Sequence, residues 1–240
     1  MFSVSNLSCS RGDKRLFSGV SFTLEPGQWL HLEGDNGVGK TSLLRILCGL
    51  SAIEDGEISW KNQSVAQNPD DFRQDLAYLG HQLALKEDLT PLENLRVSSA
   101  ISGQELSLPQ AMSALAKMGL RGREQLPVRV LSQGQKRRTA LARLLSSRAK
   151  LWILDEPFVA LDLAAQEVLS GVINAHLHHQ GMVLLTSFGA GQVLPLLLAG
   201  TAAASLPSLL NLRQVGQWVP PISGVVLVTT GALTLVARWL

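Results

Sequence analysis

Eight residues, Gly34-Asp35-Asn36-Gly37-Val38-Gly39-Lys40-Thr41, fit the spacing G-x-x-x-x-G-K-[ST], and Ser42 follows directly. Glycines at these places let backbone N–H groups turn inward around phosphate oxygens, helped by the positive end of the helix that must follow. A lysine at position 40 reaches the β and γ phosphates of a nucleotide, and a hydroxyl at position 41 can ligate Mg²⁺. A second stretch, Leu151-Trp152-Ile153-Leu154-Asp155-Glu156, is an apolar run ending in two adjacent carboxylates. That pattern suits a buried strand whose C-terminal edge holds a metal-side carboxylate, Asp155, and a neighbour, Glu156, placed to orient or deprotonate an attacking water. A third stretch, Leu131-Ser132-Gln133-Gly134-Gln135, puts a serine and a glycine at the start of a helix. Such a start either caps the helix or receives an anion.

These residues need a scaffold, and the surrounding pattern supplies one. Residues 2–9 and 20–24 alternate apolar and polar, as in two half-exposed antiparallel strands. Glu25-Pro26-Gly27-Gln28 is turn chemistry, and Trp29–Glu33 runs as a strand into the glycine loop. Thr41–Leu50 then reads as a helix, giving the strand–loop–helix order that a phosphate-binding loop requires. Short strands are expected at 57–60 and 76–79, a largely helical stretch at about 91–125, and a helix from Ser132 to Ser147. The strand ending at Asp155, a helix over Leu163–His179 and a buried strand over Met182–Thr186 complete the alternation. The fold class is therefore α/β: a mostly parallel sheet covered by helices, an antiparallel β layer and a helical subdomain over about 85–147.

Composition narrows the function classes. Twenty-one basic residues against nineteen acidic ones leave no strong field to attract nucleic acid. Cys9 and Cys48 lack metal-ligand spacing and read as reduced packing residues. Met1-Phe2-Ser3-Val4 opens in strand-like alternation, so no signal peptide is expected.

Taken together, the glycine loop, the Asp155-Glu156 pair and the Ser132 stretch resemble the ABC ATPases, whose signature reads Leu-Ser-Gly-Gly-Gln; Gln133 replaces its first glycine. The resemblance implies ATP and Mg²⁺, and a homodimer in which Ser132, Gly134 and Gln135 of one copy close on the nucleotide held by the loop of the other. It implies that Gln82 links Mg²⁺ to a membrane partner and that Asp162 lies in a loop crossing the dimer interface. Asp162 equally suits the N-cap of the next helix, and both roles are compatible. Where that family stacks an aromatic on the base, this sequence has Arg11. Where it has a histidine that contacts the γ-phosphate, this sequence has Phe188.

Asp55–Trp60, Leu79-Gly80-His81, Leu126-Pro127-Val128-Arg129, Glu156-Pro157-Phe158 and His176-Leu177 narrow the likeness. They resemble the ATP-binding subunits of cytochrome c maturation haem exporters, over residues 2 to about 187. The implied partner is a separate membrane-spanning subunit of the CcmB type. The implied place is peripheral, on the cytoplasmic face of the inner membrane, and the implied work is ATP-driven release of a haem-loaded chaperone. Phe188 motivates an alternative, a catalytically weak ATP-binding module tethered by its own tail.

The tail, residues 188–240, departs from this pattern. From Gln180 onward the only charged residues are Arg213 and Arg238. Gln192–Leu212 is uncharged over 21 residues, long enough to cross a hydrocarbon core, with Pro195, Gly200 and Pro207 as kinks. Ile222–Ala237 is a second such run between Trp218 and Trp239, so two membrane-associated helices are one expectation and soluble packing helices the other. The start of the tail looks faintly like membrane thiol–disulfide transporters of the DsbD type, but it contains no cysteine. A fusion, a recombination or a frameshift would each produce such a junction.

Overall fold

The computed structural model describes residues 1–34, 38–187, 225–230 and 233–238. Strands β1 (Phe2–Arg11) and β2 (Lys14–Leu24) form an antiparallel hairpin, joined on the other side of β1 by β4 (Asp55–Trp60) and the short β5 (Gln63–Ser64). The parallel sheet runs β3-β8-β7-β6, with β3 at Trp29–Glu33, β6 at Leu76–Leu79, β7 at Leu151–Leu154 and β8 at Met182–Ser187. Every residue of β7 is buried, because both faces of a parallel sheet are covered.

Alternation along β7 divides the core in two. Leu151 and Ile153 pack with α1 (Lys40–Leu47) and the antiparallel layer, where Phe2 stacks on Phe72 at 5.9 Å and Trp60 meets Phe72 edge-on. Trp152 and Leu154 face the opposite side, against α3 (Pro91–Ile101), α4 (Leu108–Lys117), α5 (Gln133–Ser146) and α6 (Leu163–His178). A short helix, α2 (Pro69–Gln74), contributes Phe72.

Several elements differ from the sequence reading. Strand β2 begins at Lys14 rather than at residue 20, because pairing with β1 carries it through a stretch with no clean alternation, and β1 itself shifts register between Val4 and Ser10. The helical stretch near 91–125 is two helices. Ser107 caps the second, its hydroxyl and amide both bonded to Gln110, and Thr90 caps the first with Glu93 in a capping box. Helix α1 stops at Leu47, three residues short of the expected end.

In the tail, Val225–Thr230 (β9) and Leu233–Arg238 (β10) form an antiparallel pair. Val225, Val226, Val228, Thr229, Thr230, Thr234 and Val236 are β-branched, which disfavours helix and suits a pleated strand. Phe188 and Gln192–Leu212 lie outside the described residues. Among the described residues no helix is long and apolar enough to cross a membrane.

Candidate nucleotide-binding site

Strand β3 delivers the chain to the C-terminal edge of the parallel sheet, and α1 starts there. Gly39 stands at the N-cap with φ +106°, a conformation open to glycine, and a Cβ at that position would lie 3.2 Å from Leu16 Cβ. Lys40 is buried and its ammonium donates to the Gly34 carbonyl, so the lysine already spans the mouth of the loop. Gly34, Val38, Gly39, Lys40, Thr41 and Ser42 are thus placed together; Asp35, Asn36 and Gly37 lie outside the described residues.

Across the edge stands Asp155, 3% exposed. Its Oδ2 accepts the Thr41 hydroxyl at 3.3 Å and its Oδ1 accepts the Thr186 hydroxyl at 2.8 Å. A hydroxyl and a carboxylate converging from two elements form an all-oxygen donor set, which is what Mg²⁺ selects. The residues fit that ion. Gln82 is exposed at the rim of a cleft of about 810 Å³ that Thr41, Arg45, Tyr78, Leu85 and Lys136 also line. Burial, and then the nearby Asp155 carboxylate, push the Tyr78 phenol up to about 12, so it stays a neutral donor beside the carboxylate.

Glu156 follows in a left-handed backbone conformation, φ +50°. Its N–H donates to the Thr186 hydroxyl at 3.0 Å. From the other side the buried Arg137 of α5 donates to the carbonyls of Asp155 (3.0 Å), Glu156 and, more weakly, Pro157 (3.5 Å). The turn carrying Glu156 is therefore held from β8 and from α5 at once.

The Ser132 stretch belongs to a different face. Ser132 Oγ accepts the Gln135 N–H at 3.3 Å and the Gln135 side chain accepts the Ser132 N–H at 3.0 Å, a complete capping box that opens α5. Gly134 packs against the Ala160 carbonyl; a Cβ there would sit 3.1 Å from that oxygen. Asp162 caps α6 by accepting the Ala165 N–H at 2.9 Å and also pairs with Arg138. The Ala165 bond, more than the arginine, holds its carboxyl below the usual range. The described contacts of Ser132, Gly134 and Asp162 are with their own helices and with each other's loops, not with the loop at 34–42.

Two residues of this site escaped the sequence reading. Thr186 reads there as one more residue of a buried strand. Arg137 reads there as one residue of the helix over Ser132–Ser147, yet it shares the helical stripe of the buried Ala140, Leu141 and Leu144, a spacing visible in the sequence.

Known proteins share this sequence and this fold. The family model described as ABC transporter matches residues 17–159. The "Cytochrome c biogenesis ATP-binding export protein CcmA" of Dechloromonas aromatica (strain RCB) is 55% identical over 187 residues, covering 78% of this chain and 92% of the relative. A solved structure titled "Structure of ATP binding subunit of ABC transporter" superposes with TM-score 0.71 at 26% identity, covering 78% of this chain and 79% of that one. A dimeric ATP-binding cassette, MJ0796, bound to ADP and Pi, shares the fold with TM-score 0.69 at 23% identity, over 79% of this chain and 88% of that one. The chain belongs to the ABC transporter ATP-binding subunits and, within them, to the CcmA family of cytochrome c biogenesis.

Proposed function

We propose that this chain is the ATP-binding and ATP-hydrolysing subunit of a haem exporter for c-type cytochrome assembly, driving release of a haem-loaded chaperone. The juxtaposition of Thr41, Asp155, Thr186 and the Glu156 turn at one sheet edge carries this reading, together with the high identity to a CcmA relative. That identity favours an exporter subunit over a weak tethered module.

In this reading the loop at 34–39, with Lys40 and Ser42, binds the ATP phosphates. Thr41, Gln82 and Asp155 would hold Mg²⁺, which supplies charge neutralisation on the β and γ phosphates. Glu156 orients a water and takes its proton as the oxygen attacks the γ-phosphorus and ADP leaves. Two copies assemble head to tail. Ser132, Gly134 and Gln135 of each close on the nucleotide of the other, and Asp162 lies at the seam. The cleft beside Gln82 receives a separate membrane-spanning subunit of the CcmB type, which places the chain on the cytoplasmic face of the inner membrane.

The test is Glu156→Gln in the assembled transporter. ATP affinity is retained, turnover falls by about 10³ or more, and cells carrying only this variant stop making c-type cytochromes. Undiminished turnover, or normal cytochrome assembly, contradicts the assignment.

A further inference from the structure

We propose that Arg137 is a positioning residue that links the nucleotide of one site to the base of the other; the inference rests on the head-to-tail dimer above. The residue is 5% exposed, and its Nε and one Nη donate to main-chain carbonyls of a single turn, Asp155, Glu156 and Pro157. A buried guanidinium is costly unless its hydrogen bonds are met, so its presence in this turn calls for a reason.

The turn itself supplies the reason. Glu156 sits at φ +50°, a region unfavourable for a non-glycine residue that persists only where the surroundings over-determine it. Two anchors do so here. Thr186 fixes the Glu156 N–H from the sheet, and Arg137 fixes the carbonyls on either side from the helix. Because the sheet anchor is buried and also tied to Asp155, it is the stationary one. Displacement of α5 then pulls on the carbonyls while the N–H stays, which rotates the Glu156 peptide and swings its side chain.

Helix α5 is also the element whose first residues meet the partner's nucleotide. Arg137 lies five residues after Ser132, within two turns of the same rigid rod. Gly134 against the Ala160 carbonyl and Arg138 paired with Asp162 tie the loop beyond Glu156 to that same helix end. ATP seated against Ser132 therefore sets the base of the other, otherwise separate, site. Hydrolysis is positively cooperative in ATP for that reason.

The experiment uses the full chain in its assembled transporter, with Arg137→Met, Arg137→Lys and Arg137→Ala. Equilibrium binding of a fluorescent ATP analogue stays within about twofold of wild type, while kcat falls about 10²-fold in Arg137→Met, the cost of a base misplaced by about 1 Å. The Hill coefficient for ATP drops to 1, and Arg137→Lys falls between the two. Added guanidinium ion restores part of the rate to Arg137→Ala and none to Glu156→Gln. A wild-type rate and Hill coefficient in Arg137→Met overturn the proposal. So does a rate loss that keeps cooperativity and resists guanidinium, the signature of a purely structural arginine. Should Arg137→Met fail to fold, Arg137→Lys with the same readouts decides. Failure of the dimer reading shows up separately, as a wild-type chain that binds ATP without pairing or turnover.

Discussion

The sheet edge around Asp155 and the start of α5 around Ser132 are both suited to phosphate, but they are finished to different degrees. At the sheet edge, side chains from α1, α5 and β8 converge on one carboxylate and one turn, with Thr41 and Thr186 bonded to Asp155 and with Thr186 and Arg137 bonded to the turn's backbone. At the start of α5, the Ser132 hydroxyl and the Gln135 side chain bond each other's backbone N–H in a capping box, and the serine is exposed. In the proposed function the first region is a catalytic half built by a single chain, and the second is a lid half whose target comes from a second chain. An assembly of such unlike halves would bind nucleotide alone and hydrolyse it only in pairs.

The sharpest way to break this contrast is to damage each half in turn. Lys40→Ala lowers ATP affinity of the isolated chain by more than about 100-fold, because the loop loses the ammonium that meets the terminal phosphates. Ser132→Arg leaves that affinity within about twofold and removes turnover by about 10²-fold or more, since it blocks closure rather than binding. Equal loss of affinity in both, measured by calorimetric titration, erases the distinction. Thr186→Val acts on the finished half by stripping a partner from both Asp155 and the Glu156 amide. It destabilises the chain by about 1–3 kcal/mol in urea unfolding and slows hydrolysis about tenfold, with ATP affinity little changed. Asp162→Ala acts on the lid half and removes an N-cap, at about 0.5–2 kcal/mol.

Acid sharpens the same comparison. His31 lies buried in β3, where burial pushes its imidazole down to about 4 from its ordinary 6.5. The unfolded chain therefore takes up this proton first. The stability tied to the neutral ring is complete above about pH 6.5 and is lost as pH falls toward 4. The Asp162 carboxyl is held low and keeps its charge, so α6 stays capped over that range. Thermal midpoints followed from pH 7 to 4 decline in the wild type and decline less in His31→Gln.

How much of this was legible in the sequence follows from how local each signal is. The helix that begins at Lys40, the apolar strand ahead of Asp155 and the helix start at Ser132 come from short patterns, and each of these elements falls where its pattern put it. Long-range bonds leave no such trace. Thr186 stands 31 residues from Asp155 and Arg137 stands 18 from it, and only the folded sheet brings the three together. Helix and strand ends shifted for the same reason: hairpin pairing extended β2 beyond its alternating segment, and Ser107 divided a stretch whose apolar spacing alone reads as continuous.

The most direct measurement is the mass in solution of the full chain carrying Glu156→Gln, by light scattering with MgATP present. The account predicts a dimer that forms only with nucleotide and that disappears when Ser132→Arg is added, with ATP still bound to the resulting monomer. A nucleotide-saturated monomer for Glu156→Gln alone, or a dimer indifferent to Ser132→Arg, contradicts it.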